Sequence, residues 1–336
     1  MSCPMEKILA VVVTYNRREL LSQCIHALKE QTRKIDRILV INNGSTDDTE
    51  EWLRNQKDLS FITQKNVGGA GGFYTGIKTG YEKKYSWIWL MDDDGYPRAD
   101  ALENLLEGDP EELCLRNCAV VNIQDRKSFV WKTGKFKTID EVTEPVIRNV
   151  AHPFNGTLLH RRIIERVGYP NPKLFLWGDE TEYFYRIILK NRIPSYTKAN
   201  SIHYHPPTAY SFKKDWNFSN NWKMYYYIRN RFSILQSRFS SSKVAATFMY
   251  LVFVTAFAGT ILVYQKTHKF QKMVFILWPM RDAFKHNFEA TPTSIIQRLS
   301  KIKQYAQSAS VSHQLRAVKA FLMGSPSHMV QSADKI

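Results

Sequence analysis

Negative charge is scarce in this chain. Its 336 residues carry 31 Asp and Glu against 47 Lys and Arg, a formal charge of +16. The basic excess thickens toward the C-terminal third and is not confined to one low-complexity block. That balance points to an anionic partner such as phosphates, lipid headgroups or nucleic acid. Cysteine is also sparse: Cys3, Cys24, Cys114 and Cys118 form no CxxC pair, and no histidine lies close in sequence to Cys114 and Cys118. The spacing speaks against a zinc site and leaves reduced cytosolic thiols. No secretory leader is read, because the apolar stretch Ile8 to Val13 is too short for a signal core and runs into a turn. At 44% hydrophobic content, the chain can bury one large core and carry an appendage.

Against that shortage of acid stand three consecutive carboxylates. Asp92-Asp93-Asp94 closes the apolar run Trp87 to Met91 and precedes Gly95 and Pro97, so a buried strand ends there. In an extended chain Asp92 and Asp94 lie on one side. Two hard oxygen ligands so placed suit Mg²⁺ or Mn²⁺, with phosphate oxygens and water in the remaining positions. An acidic turn capping the next helix is the plainer alternative.

Upstream, strand and helix alternate. The pattern predicts strands at Ile8–Val13, Arg37–Ile41, Phe61–Thr63 and Trp87–Met91. Helices fall between them, from about Arg18 to Gln31, after a cap at Ser45 or Thr46, and over Gly71–Lys84. Such units predict an α/β fold with a mostly parallel, three-layer sheet. Ligands bind beyond the carboxyl ends of such strands. Thr14-Tyr15-Asn16-Arg17, Asn42-Asn43-Gly44-Ser45 and the aspartates all fall at those ends, so one site assembled from three strands is expected. The glycine stretch Asn66-Val67-Gly68-Gly69-Ala70-Gly71-Gly72-Phe73 lies at a helix amino terminus, where backbone can approach an anion. It lacks the Lys-Ser/Thr ending of a P-loop and does not follow the first strand as a dinucleotide fingerprint does. Taken alone it is equally a flexible loop; ahead of the aspartates it reads as one wall of a nucleotide pocket.

Val12-Val13-Thr14-Tyr15-Asn16-Arg17, Asn43-Gly44-Ser45-Thr46-Asp47, the glycine stretch and Met91-Asp92-Asp93-Asp94-Gly95 together resemble family 2 glycosyltransferases. These are inverting enzymes of the GT-A (Rossmann-like) fold that use nucleotide-activated sugars. The last two motifs are most similar to the galactofuranosyltransferase and rhamnosyltransferase branch, and the likeness runs from about Ile8 to Phe232. It implies donor contacts at Thr14, Tyr15, Asn16, Arg17, Asn42, Asn43, Asn66, Gly68, Gly69, Gly71, Gly72, Asp92 and Asp93. It also implies a UDP-sugar donor and a metal held by Asp92, Asp94 and His203. One position departs: Asn42 stands where the family usually has the aspartate that holds the base. An amide both donates and accepts, so contact with a base edge stays open.

Leu174-Phe175-Leu176-Trp177-Gly178-Asp179-Glu180-Thr181-Glu182-Tyr183 resembles the family segment that carries the catalytic base. An inverting transfer needs a carboxylate to take the proton of the attacking hydroxyl. Register gives that role to Glu180 with Asp179 orienting it, and the roles exchange if the register slips by one. Asp179 is equally placed to cap a helix with Glu182 at its third position. His203 and His205 alternate on a strand and face one way, so either could complete the metal's ligands or contact a phosphate; His203 is preferred for the metal and His205, ahead of Pro206-Pro207, is set on the acceptor side. Trp131, Asn155, Trp177 and Arg229 are assigned there as well, with core packing an equal account of Trp131.

After this segment the chain turns helical. Val244 to Tyr264 is uncharged and long enough to span a bilayer, Met273–Met280 is a second apolar run, and Ser294–Leu322 reads as a basic amphipathic helix. Interfacial, buried or oligomer-forming, and membrane-spanning readings all stay open. The expected organisation is a GT-A catalytic domain over 1–220 and a helical, membrane-associated or oligomerising region over 221–336. The expected activity is transfer of galactofuranose from UDP-galactofuranose, or alternatively of rhamnose from its dTDP donor, to a polysaccharide or lipid-linked glycan. The expected location is cytoplasmic, on the inner face of the cell membrane, with a possible homo-oligomer and no nucleic-acid partner. A basic nucleic-acid- or lipid-binding protein without catalysis would explain the charge but leave the aspartates and Asp179-Glu180 without purpose.

Overall fold

A computed structural model describes residues 6–108, 112–207, 214–217 and 221–307, with side chains through residue 301. Residues 308–322 of the expected amphipathic helix, and Cys3, lie outside the described residues. The chain divides into two compact units, Met1–Ala209 and Tyr210–Ile336.

In the first unit the order is β1 (Ile8–Thr14), α1 (Arg18–Lys29), β2 (Arg37–Asn42), α2 (Thr49–Arg54), β3 (Ser60–Thr63), α3 (Gly68–Glu82), β4 (Trp87–Asp92) and β5 (Tyr96–Pro97). It continues with α4 (Ala101–Leu106), β6 (Leu115–Asn122), β7 (Ser128–Thr133), β8 (Phe136–Thr138), β9 (Val146–Arg148), β10 (Asn155–His160), α5 (Arg161–Val167), α6 (Asp179–Tyr185) and β11 (Ser195–His205). The sheet runs β3-β2-β1-β4-β10-β6-β11-β5, with β7, β8 and β9 attached beside β6 and β11. β3, β2, β1 and β4 are parallel neighbours, as are β6 and β11, while β10 enters antiparallel between β4 and β6.

The apolar strand runs explain the layering. Every residue of β1 is buried. Its even-numbered residues Ile8, Ala10 and Val12 face one core with Leu21, Ile25 and Leu28 of α1. Its odd-numbered residues Leu9, Val11 and Val13 face another core with Phe73 and Ile77 of α3. Two-sided burial of this kind is what a parallel central strand requires.

α3 begins at Gly68, three residues before the expected start, because Asn66 and Asn43 bind the backbone that precedes it: Gly68 N–H donates to Asn66 Oδ1 at 2.9 Å and Val67 N–H to Asn43 Oδ1 at 3.3 Å. The expected cap at Ser45 or Thr46 is corrected as well. α2 starts at Thr49, whose N–H donates to Asp47 Oδ1 at 3.1 Å, while the Ser45 hydroxyl is turned to Asn16 N–H at 2.9 Å.

The second unit contains α7 (Lys223–Arg238), α8 (Lys243–Tyr264), α9 (Lys269–Phe284) and α10 (Pro292–Gln307). Tyr225 of α7 donates to Asp282 of α9 at 2.6 Å, and Tyr250 of α8 to the Ile228 carbonyl at 3.2 Å. Lys272 is fully buried, paired with Asp215 at 2.7 Å and Gln265 at 2.9 Å. The second apolar run lies within α9, with Pro279 inside the helix.

Close approach of α3 to the sheet depends on a face without side chains. A Cβ on Gly72, Gly76 or Gly80 would run into Val13, Val11 or Ile88 respectively, whereas Gly69 faces open space. Gly76→Val is therefore expected to cost about 1–3 kcal/mol by overpacking in urea denaturation, and Gly69→Ala to cost nothing. Equal midpoints for Gly76→Val and wild type would contradict this packing.

Candidate active site

Strand direction sets the site. The carboxyl ends of β1, β2, β4, β6 and β11 share one edge, and antiparallel β10 begins there, with Asn155 opposite Met91. Parallel pairing of β11 with β6 sets His203 beside Val120 and His205 beside Asn122 at the same edge. Thr14, Asn42, Asp92, Asn155, His203 and His205 thus come from distant parts of the chain to one rim.

The acidic run does not stay extended. β4 ends at Asp92 and the chain turns, so each carboxylate meets different partners. Asp93 is 3% exposed and accepts from Thr14 Oγ1 at 2.6 Å and Arg17 Nη1 at 3.0 Å. The same Arg17 nitrogen reaches Asp94 Oδ2 at 2.8 Å, and His205 Nε2 lies 3.2 Å from Asp94 Oδ1. Burial lifts the Asp93 carboxyl above its ordinary range against the pull of Thr14 and Arg17. Burial works the same way on Asp94, but His205 and Arg17 outweigh it and hold that carboxyl below its usual value. Asp92 is pushed well above, by burial first and then by the charges of Asp94, Asp93 and Glu180.

The last of those charges links the cluster to the second acidic pair. Ahead of α6, Pro172–Leu174 forms a short 3₁₀ turn, and the chain then passes through three left-handed residues. Phe175 has φ 67° and ψ −62°, and Leu176 N–H donates to the Leu174 carbonyl at 2.8 Å, the rare and strained form of γ-turn. Trp177 (φ 58°) and Gly178 (φ 105°) complete the reversal. The turn is clasped by α3: Ala70 N–H donates to the Phe175 carbonyl at 3.2 Å, and Gly68 packs so tightly on that carbonyl that no Cβ fits. Strain held by neighbouring structure clusters at working sites.

Gly178 rather than Asp179 is the N-cap of α6, since its left-handed backbone makes the entry, and Glu182 is drawn to Arg186 at 2.7 Å instead of back to the cap. Arg186 also donates to the Val167 and Tyr169 carbonyls at 3.2 and 2.9 Å, which ties the helix to the unit. Asp179 is 5% exposed; burial, then the Glu180 charge and a hydrogen bond with it, push its carboxyl well above the normal range. Glu180 is half-buried and accepts from Gly178 N–H at 3.1 Å. Asp179, pushed toward its neutral form beside Glu180 and with Asp92 in electrostatic reach of both, makes an arrangement suited to proton transfer.

The other residues singled out in the sequence occupy two kinds of position. Asn16 and Asn43 are ties. Asn16 accepts from Thr46 N–H at 2.7 Å; buried Asn43 donates to the Gly68 carbonyl at 2.9 Å and to Asn66 at 3.3 Å. Asn42 is fully buried, donating to Thr63 and accepting from Ser45 N–H. Gly71 abuts Val67, and Tyr15 is 44% exposed at the rim. Trp131 stacks near His205 (4.8 Å between rings) and His152 (5.3 Å), so this aromatic group flanks Asp94 through His205. Asn155 is 9% exposed, and Trp177 is half-buried in the strained turn. Arg229 belongs to the second unit, 1% exposed among the rings of Tyr225, Tyr226 and Phe288.

Sequence reasoning missed His152 and gave Phe175 no role of its own within the base-carrying segment. His152 meets Thr133 Oγ1 at 3.2 Å, and burial pushes it down to about 4. His152 carries no motif, and its contacts with Thr133 and Trp131 reveal it; the γ-turn reveals what Phe175 does.

The donor chemistry at this edge fits a magnesium- or manganese-type ion. Asp92 and Asp94 offer hard oxygens, with Asp94 Oδ1 facing His205 Nε2 at 3.2 Å. His203 is fully buried with neither ring nitrogen hydrogen-bonded, and burial drives it down to about 3, a neutral imidazole. Among the described residues no three His, Cys, Asp or Glu side chains stand as a ready-made cage. That agrees with ions bound through one or two carboxylates and completed by substrate phosphates.

Comparison with known proteins supplies the family. The family model Glycosyl transferase family 2 matches residues 9–164. Galactofuranosyltransferase GlfT1 of Mycolicibacterium smegmatis is 32% identical over 223 residues, 62% of this chain and 74% of that protein. GlfT1 of Mycobacterium tuberculosis is 30% identical over 222 residues, 62% and 73% respectively. The crystal structure of S. aureus TarS 1-349 matches with a TM-score of 0.54 at 13% identity, covering 94% of this chain and 90% of that one, a likeness of fold. With sequence identity spread over most of a galactofuranosyltransferase and an acidic edge on the strands that the family model spans, the chain belongs to glycosyltransferase family 2 and is a glycosyltransferase of the GT-A fold.

Proposed function

We propose that the chain transfers galactofuranose from UDP-galactofuranose, with inversion, to a polysaccharide or lipid-linked glycan at the inner face of the cell membrane. The observation that carries this reading is the meeting of Asp92 with Asp179 and Glu180 at one sheet edge, where each charge reaches the others. The identity to galactofuranosyltransferases supports the donor; a dTDP-rhamnose donor is the second reading, since it would use the same residues.

In this mechanism Glu180 takes the proton of the acceptor hydroxyl as its oxygen bonds to the anomeric carbon, while the bond from that carbon to the diphosphate oxygen breaks. Asp179, buried and hydrogen-bonded to Glu180, holds it in place. Asp92 and Asp94, with His203, would hold a divalent cation, which when bound supplies positive charge to the departing diphosphate. Arg17 spans Asp93 and Asp94 and keeps the acidic rim compact; its guanidinium is also placed to meet a diphosphate. Trp131 and His152 form a ring surface on which an acceptor sugar can stack.

Glu180→Gln should leave UDP binding by calorimetry unchanged and lower transfer by about 10²-fold or more; full transfer by this variant would move the base elsewhere. Gly68→Ala pushes on the Phe175 carbonyl, so kcat should drop about 10-fold or more for a misplaced base while UDP affinity holds; a change in UDP affinity alone would assign Gly68 to the donor instead. In a panel of nucleotide sugars, UDP-galactofuranose should be consumed with Mn²⁺ and not after chelation. Consumption of dTDP-rhamnose alone would select the second reading.

A further inference from the structure

The helix α8 carries no charge between Lys243 and Lys266. Only one of its sides is covered. Ala246, Tyr250, Val254, Phe257 and Ile261 recur at helical spacing and are buried within the helical unit, as a packed stripe must be. The opposite side is left open: Val244 is 81% exposed, Phe248 62%, Val252 44%, Leu262 56% and Val263 71%. A helix bathed in water would be polar on that side; this one offers large apolar side chains from Val244 to Val252 and again at Leu262 and Val263, with the small residues Thr255, Ala256 and Gly259 between.

Three orientations satisfy an apolar face, and its neighbours separate them. A spanning α8 would take with it the helices it packs against. These carry Lys223, Arg231 and Arg238 on α7, and Lys269, Arg281 and Asp282 on α9, charges that a hydrocarbon core excludes. A second copy of the chain would bring together two molecules of formal charge +16. Exposed lysines bound the face at both ends, Lys243 before it and Lys266 and Lys269 after it, with Phe270 half exposed beside them. Basic ends around an apolar face match an anionic bilayer surface.

We infer that the face of α8 formed by Val244, Phe248, Val252, Leu262 and Val263 is a lipid-docking surface, lying in the plane of an anionic membrane with its flanking lysines among the headgroups. The inference rests on the proposed lipid-linked acceptor for its purpose and on the helical unit alone for its physics.

Flotation of the full chain with vesicles of phosphatidylcholine, with or without one quarter phosphatidylglycerol and free of any glycolipid, tests it. The chain should float with the anionic vesicles, less with the neutral ones, and come off in alkaline carbonate. Phe248→Glu/Val263→Glu, at exposed positions, should lower flotation at least 10-fold with its thermal midpoint and its nucleotide-sugar consumption in solution unchanged. Flotation of this variant equal to wild type would overturn the inference, as would equal binding to neutral vesicles. Resistance to carbonate would establish a spanning helix instead. A wild-type dimer that this variant dissociates, without vesicle binding, would make a second copy the occupant. Vesicle binding by a chain that consumes no nucleotide sugar would uphold the surface and remove the catalytic reading.

Discussion

Like charges crowded at the edge of a sheet are the constraint around which the first unit is arranged. Asp92, Asp93, Asp94, Asp179 and Glu180 all come to one rim, partly out of water, where repulsion between carboxylates is strong. The fold relieves it in two ways. Asp93 and Asp94 share the Arg17 guanidinium, with Thr14 and His205 completing their contacts. Asp92 and Asp179, for which burial and neighbouring carboxylates outweigh any relief, are pushed toward their neutral forms. Concentrating acid in a chain with so little of it serves no packing purpose; it suits a site whose substrate and cation bring charges of their own.

The backbone around that rim is stiffened where the acids attach. Asn16 and Asn43 stitch the ends of β1 and β2 to the loops beyond them, and α3 clasps the strained turn at Phe175 that delivers Asp179 and Glu180. The glycines of α3 do more for packing than for openness. Gly68 admits the Phe175 carbonyl, and Gly72, Gly76 and Gly80 let the helix settle on β1 and β4; Gly69 alone among these faces free space.

Much of the first unit was legible in the sequence, because its strands are long apolar runs buried on both faces and its helices carry apolar stripes. The three-layer sheet follows from that pattern, and so does the location of polar residues at strand ends. What the pattern could not supply was long-range register. Asn155 opposes Met91 only because β10 enters antiparallel, and no local signal announces that insertion. The γ-turn at Phe175 depends on dihedrals forced by α3, and His152 becomes part of the rim only through contact with Trp131 and Thr133. Asn42 looked like a free amide at a strand end; its position beside Thr63 and Ser45 comes from the β2–β3 pairing. In the second unit, the uncharged run fitted three environments until packing covered one side of α8 and left the other bare.

In the proposed mechanism Asp92 and Asp94 hold a divalent cation against a nucleotide diphosphate, on the same rim as Glu180. Anomalous diffraction from crystals grown with Mn²⁺ and UDP tests it directly. One strong manganese peak is expected within bonding distance of Asp92 or Asp94 oxygens and of the UDP diphosphate. A manganese peak bound to UDP but remote from both aspartates, or UDP seated on another face of the unit, would contradict it.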